Sequence, residues 1–531
     1  MSESHDLVET LTDRLAPLDR ELGLAWWEAA TRASADADER RAAADLARRE
    51  FLADHDTFAA VREQLTANDH GDNGDHTTRA LELLADTMVP HQVPADLLRA
   101  LVDLETAVDA RFTAYRADLD GTRVDDNALL ELLRTSNDST ERQAVWEAGK
   151  QIGAEVAGDV RQLARLRNDA ARTLGYRDHF ALALATGALD ETRLFATLDE
   201  VDRLTASPFA AWKSEVDARL AARFGVDRDD LAPWHLDDPF FQDPPIDGAV
   251  DLDPYFADAD LAALTRRTYS GLGLDVDSVL DASDLYARDG KNQHAFCIHI
   301  DRAGDVRVLC NVEANERWAD TMLHEFGHAV YDRELDPELP WLLREPAHAL
   351  TTEGIAMMFG RLVRDPTWLR EIAGLDQSTV QELAPRLAAA QRASLLVFAR
   401  WVLVVTHFER ELYANPEADL DTLWWDLVER FQRVRRPAGR HAPDWAAKIH
   451  LAVVPVYYQN YLYGELFASQ LGEQLRDDHG GLVNAAGAGA HLREHVFAPA
   501  AALRWDRFVE QATGRALDAR AFARDLEAGP R

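Results

Sequence analysis

Apolar side chains recur at three- and four-residue spacing along most of the chain, in stretches rich in Leu, Ala, Arg and Glu. That period gathers them on one stripe of an α-helix. Trp146, Ile152, Val156, Val160, Leu163 and Leu166 form one such stripe and predict a long helix. No repeat of fixed period is present. The pattern breaks at residues 69–76, 233–254, 437–443 and 480–489. The second break holds Pro233, Pro239, Pro244, Pro245 and Pro254 and predicts loop. None of the breaks has the length or the Gly/Ser content of a flexible tether, so residues 1–531 read as a single unit.

One stretch departs from helix. Residues 295–301 and 306–312 alternate β-branched with other side chains around Ala303-Gly304, which predicts a β-hairpin. A two-residue turn there sets Cys297 opposite Cys310, the only cysteines.

Composition narrows the function classes. The chain carries 57 Lys+Arg against 93 Asp+Glu, a formal charge of −36, which argues against nucleic acid and anionic membranes as partners. At 47% hydrophobic it has ample material for a core. No run approaches the ~18 apolar residues of a membrane span. The acidic N-terminus has no secretory signal, so a cytoplasmic location is expected, with both thiols reduced. Lysine occurs only at positions 150, 213, 291 and 448. Few lysines and dense carboxylates fit adaptation to high salt, where counterions screen the acidic coat. An Ala/Arg/Asp-rich bias from GC-rich coding explains the composition equally well.

The chemistry enters at His324-Glu325-Phe326-Gly327-His328, an H-E-x-x-H motif with helical flanks. On a helix the two histidines share a face and can present ring nitrogens to one metal, with Glu325 beside them to take a proton from water. A catalytic zinc needs a third protein ligand. Glu353 is an acid in an otherwise apolar run, where an unpaired carboxylate is costly, on a helix that Thr351 or Thr352 can cap. It completes a His₂Glu set, which favours zinc over other divalent ions. Far downstream, Lys448-Ile-His450 precedes Tyr457, Tyr458 and Tyr461 in a nearly uncharged segment. As a strand, Lys448 and His450 share a face; as a helix, Tyr458 and Tyr461 are neighbours. Such groups suit a substrate carboxylate and a tetrahedral oxyanion, and they equally suit a core.

Taken in order, His294-Ala295-Phe296, the H-E-F-G-H motif, Leu343-Arg344-Glu345 ahead of Glu353, and Lys448-Ile-His450 with Tyr458-x-x-Tyr461 resemble the angiotensin-converting-enzyme type of zinc peptidyl-dipeptidases. Gly290-Lys-Asn-Gln-His-Ala-Phe and Tyr457-Tyr-Gln-Asn-Tyr-Leu-Tyr-Gly look at least as similar to the related thimet-oligopeptidase and oligoendopeptidase group. The resemblance runs patchily over residues 133–470. It implies a mostly α-helical, gluzincin-type fold: two helical halves around a deep groove, with a small hairpin beside the zinc helix. It also implies one Zn²⁺ on His324, His328 and Glu353, with Glu325 as general base. His450 and Tyr461 would stabilise the oxyanion, Lys448 and Tyr458 would hold the substrate's terminal carboxylate, and His294 and Ala295 would bond substrate backbone. Tyr457 competes with Tyr458 for its place. Asn460 stands where animal members carry a chloride-binding arginine, and Met357 stands where an acid usually orients a ligand histidine. The family's glutamine contact to the carboxylate has no evident counterpart.

The implied activity is zinc-dependent release of C-terminal dipeptides from oligopeptides, with oligoendopeptidase, metallocarboxypeptidase and inactive peptide-binding relatives as alternatives. Salt adaptation predicts an unfolding midpoint that rises steeply between low and molar KCl. Equal stability at both concentrations refutes it.

Overall fold

The computed structural model describes residues 3–32, 34–68, 76–245, 250–292 and 294–527. Most of break 69–76, and Gln293, lie outside these residues. The chain is mostly helical, with two short antiparallel hairpins among the described residues.

Helix α1 is Glu3–Thr31, and the long stripe read from the sequence is helix α2, Ser139–Thr173, started by Asp138, whose side chain accepts from the Thr140 and Glu141 amides. Trp146, Ile152, Val156, Val160 and Leu163 are buried along it. Helix α3 spans Glu191–Phe224. The proline-rich stretch that follows is loop and short 3₁₀ turns where described, except that its last two residues, Asp253 and Pro254, open a one-turn helix, Asp253–Phe256. A small hairpin, β1 (Ala117–Leu119) with β2 (Thr122–Val124), sits ahead of α2. The second hairpin, β3 (Phe296–His299) with β4 (Val306–Leu309), leads into helix α4, Glu316–Arg333, which carries the H-E-x-x-H motif. Helix α5 is Ala349–Gly360, α6 is Gln377–Ala414, and α7 is Tyr458–His479.

Several expectations are corrected. The β3–β4 register pairs Cys297 with Val308, not with Cys310, and both thiols are free. The turn has four residues rather than two. Asp301 Oδ1 accepts from the amides of Ala303 and Asp305, Ile300 donates to Asp305 O, and Arg302 and Gly304 take φ of +54° and +110°. Asp301 thus opens an Asx turn that displaces the pairing by two residues while keeping each side chain on its face. The N-cap of helix α5 is His348, whose Nδ1 accepts from the Leu350 amide, and Thr351 completes a capping box by accepting from the His348 amide, while Thr352 takes no part. The segment Lys448–Val453 is a 3₁₀-to-helix turn, not a strand, and the 480–489 break holds the start of a further helix, Ala486–Leu492.

Helix α6 is long and apolar enough to cross a membrane by length and composition, yet residues 395–405 are almost entirely buried in this fold. It packs against α2 and α3 on one side and α7 on the other, so it joins the N-terminal helices to the site. Helices α4, α5 and α7 make the most extensive contacts in the molecule. A Cβ at Gly327 would lie 2.8 Å from Ala356 Cα, and one at Gly354 would lie 2.8 Å from Gly464 O. These helices touch backbone to backbone. Lysine follows a different logic from arginine: Lys150, Lys213 and Lys291 are buried and Lys448 is half-buried, so none of the four serves the outer coat.

Gly354→Ala must push α5 from α7. Overpacking of this kind costs about 1–3 kcal/mol, read as a lower denaturant midpoint together with weakened metal retention. Unchanged stability contradicts the contact.

Candidate metal centre and active-site cavity

Asn315 accepts from the Trp318 amide and starts α4 so that His324 and His328 face α5. Their rings lie 5.0 Å apart, and the Nε2 atoms of both stand 3.9 Å from Glu353 Oε2. The three ligand atoms fall within 4.8 Å of one another, and among the described residues no other His/Cys/Asp/Glu group does this. A cavity of about 660 Å³ opens over them. Ala295, Phe296, Cys297 and His299 form one wall, and Tyr461 and Thr352 also border it.

Burial dominates the electrostatics. It lowers His324 to about 4 and His328 to about 3, so both imidazoles are neutral and can offer lone pairs. It pushes Glu353 up to about 7 against a hydrogen bond from Tyr457, and Glu325 up to about 8 with the Glu353 charge adding to the shift. Two desolvated carboxyl groups face two neutral imidazoles, and although Arg302 and Arg344 border the same cavity, neither carboxyl has a described Lys or Arg ion-pair partner. A divalent ion relieves that imbalance, and the donor set is that of catalytic zinc. Glu325 also accepts from the Cys297 amide, which ties it to strand β3.

Two contacts were not legible beforehand. With Nε2 left bare toward Glu353, His328 Nδ1–H donates to Thr352 Oγ1 at 2.6 Å, so Thr352 supplies the orienting partner that Met357 cannot. Tyr457 OH donates to Glu353 Oε1 at 3.1 Å. Tyr457 therefore, rather than Tyr458, faces the ligand cluster.

The remaining candidates form a second cluster. Lys448 Nζ donates to Gln242 Oε1 at 2.9 Å and lies 5.4–5.7 Å from the ring centroids of Phe240, Trp401 and Tyr458. Burial lowers its pKa to about 8 despite the nearby charges of Asp238 and Asp243, neither of which forms an ion pair with it. Gln242 arrives on a loop that Arg142 pins through Asp237 and the Trp234 and Leu236 carbonyls, and that Trp146 pins through Pro239 O. A proline-rich loop gives no periodicity from which that glutamine could be placed. His450 has its ring 5.1 Å from Tyr458, and its Nδ1 is buried without a partner. Tyr458 and Tyr461 join the two clusters, with ring centroids 5.6 Å apart. His450, Lys448 and Tyr458 thus stand behind Tyr461 rather than on the cavity wall. Ala295 borders the cavity; His294 is exposed and does not.

Residues 282–528, just under half of the chain, match the family model of peptidase family M3. The chain is a zinc metallopeptidase. No curated protein is matched. The match supports the thimet-oligopeptidase side of the resemblance, and the angiotensin-converting-enzyme side receives no support from it. It covers the hairpin, the H-E-x-x-H helix, Glu353 and the Lys448–Tyr461 segment, while Gln242 lies ahead of it. As a peptidase the protein acts on peptides, and this family's chemistry is zinc-dependent.

Replacing Thr352 by Val keeps the shape and removes the acceptor. It is expected to weaken zinc retention about 10–100-fold in chelator competition, whereas Thr352→Ser retains it. An unchanged affinity removes Thr352 from the orienting role.

Proposed function

We propose that the peptidase removes dipeptides from the C-terminus of oligopeptides. The observation that carries this reading is Lys448: a desolvated ammonium with no ion-pair partner among the described residues, held by Gln242, one tyrosine beyond the cavity. A desolvated cation of this kind attracts a carboxylate strongly. Tyr461 and Tyr458 separate it from the metal cluster, with 5.6 Å between their rings. Two tyrosine rings in succession, with Lys448 5.7 Å from the Tyr458 centroid, leave room for more than one residue between the cation and the metal cluster.

His324, His328 and Glu353 would hold the zinc. When bound, zinc supplies a Lewis acid that acidifies water and polarises a peptide carbonyl. Glu325, fixed by the Cys297 amide, takes the water's proton and passes it to the leaving amine. The outer edge of β3 is unpaired among the described strands and borders the cavity, so it can add the substrate backbone as a strand. Tyr461, on the cavity wall, and His450 behind it supply donors for the oxyanion. Tyr457 steadies Glu353.

Glu325→Gln is expected to keep zinc and lower kcat by about 10²–10⁴-fold; an active variant defeats the scheme. For free-acid peptides, kcat/KM should fall as pH rises through about 8, where Lys448 loses its proton and charge. C-terminally amidated peptides should be poor substrates and lack that limb, and Lys448→Met should abolish the difference. Unimpaired cleavage of the amidated peptide selects the second reading, an oligoendopeptidase, which is equally compatible with the M3 match.

A further inference from the structure

Val456 immediately precedes the residues that reach the ligand cluster, and its φ is +55°. A β-branched residue rarely adopts that conformation, because Cβ and its branch crowd the backbone. Val456 is nonetheless buried, with both backbone polar groups engaged. Its amide donates to Glu409 Oε1 at 2.7 Å, and its carbonyl accepts from Gln459 Nε2 at 2.5 Å. Glu409 projects from α6 and is 1% exposed. Such a carboxyl is costly to bury unless it is used. The same stretch is held a second time, where Arg167 of α2 donates to Ala452 O.

We infer that Glu409 is a positioning residue: by holding the Val456 amide it fixes a left-handed turn that aims Tyr457 at Glu353 and sets the first turn of α7, with Tyr461, against the cavity. The inference rests on the reading that Tyr457 and Tyr461 serve the reaction. The chain direction supports it. An α-region residue at position 456 would swing the start of α7 away from its present line, and Tyr457 OH is held 3.1 Å from Glu353 only on that line. Strain of this kind persists where surrounding groups over-determine it, which describes a carboxylate and an amide side chain clamping one residue.

The test crosses Glu409→Ala and Glu409→Gln with Val456→Gly in the zinc-loaded full chain. Zinc content, unfolding midpoint, kcat and KM are measured for each, with Tyr457→Phe alongside. Glu409→Gln keeps an acceptor and should stay near wild type. Glu409→Ala should lower kcat about 10²-fold, the scale of a ~1 Å misplacement, with zinc retained. Val456→Gly should restore at least ~10-fold of that loss in the Glu409→Ala background, because glycine takes positive φ without strain. A residue that only contributed packing predicts the opposite, since losing a buried side chain adds to the damage. If Tyr457→Phe lowers kcat while Glu409→Ala does not, the positioning role is overturned. If the two sites couple in unfolding while kcat is unmoved by Glu409→Ala and Tyr457→Phe alike, the catalytic reading of the tyrosine fails and the clamp stands.

Discussion

The site exists because three helices approach until their backbones touch. Gly327 on the metal-motif helix meets Ala356, and Gly354 on the Glu353 helix meets the Gly464 carbonyl on the tyrosine helix. Each glycine removes the side chain that would hold its helix off. The ligands come from two of these helices and Tyr457 from the end of the third. Larger side chains at the crossings would separate His328, Glu353 and Tyr457 beyond bonding range of one another. Metal geometry is therefore set by what is missing at the crossings.

Burial then does the electrostatic work. The same desolvation that keeps His324 and His328 neutral pushes Glu325 and Glu353 up and Lys448 down. In Glu325, Glu353 and Lys448 burial disfavours the charged form, which a partner of the right charge would restore: a dication for the carboxyl groups, a carboxylate for the lysine. The chain carries a large negative excess, while the Lys448 ammonium is sheltered among aromatic rings.

The histidine pair and Glu353 were readable because helical spacing alone puts them on one face and an acid in an apolar run demands a partner. The hairpin was readable as a hairpin, but its register was not. Whether Asp301 accepts the Ala303 and Asp305 amides is a side-chain choice that alternation cannot report. Thr351 and Thr352 ahead of an apolar run both read as caps in the sequence; the contact of Thr352 with His328 needs the α4–α5 crossing. Tyr457 and Tyr458 were indistinguishable because the turn at Val456 fixes which ring faces Glu353. Gln242 required a loop tied by Arg142, Trp146 and Gln432 from helices distant in sequence.

The lysines have a practical consequence. Lys291 Nζ is closed in by Asp284, Tyr286 O and Cys310 O, Lys213 by Asp217, and Lys150 lies 3.1 Å from the Phe240 ring centroid. A surface built from arginine presents hardly any side-chain primary amine to solvent. Reagents that acylate or cross-link amines would therefore find few lysine targets in the folded protein, since Lys448, the least buried of the four, is itself largely desolvated.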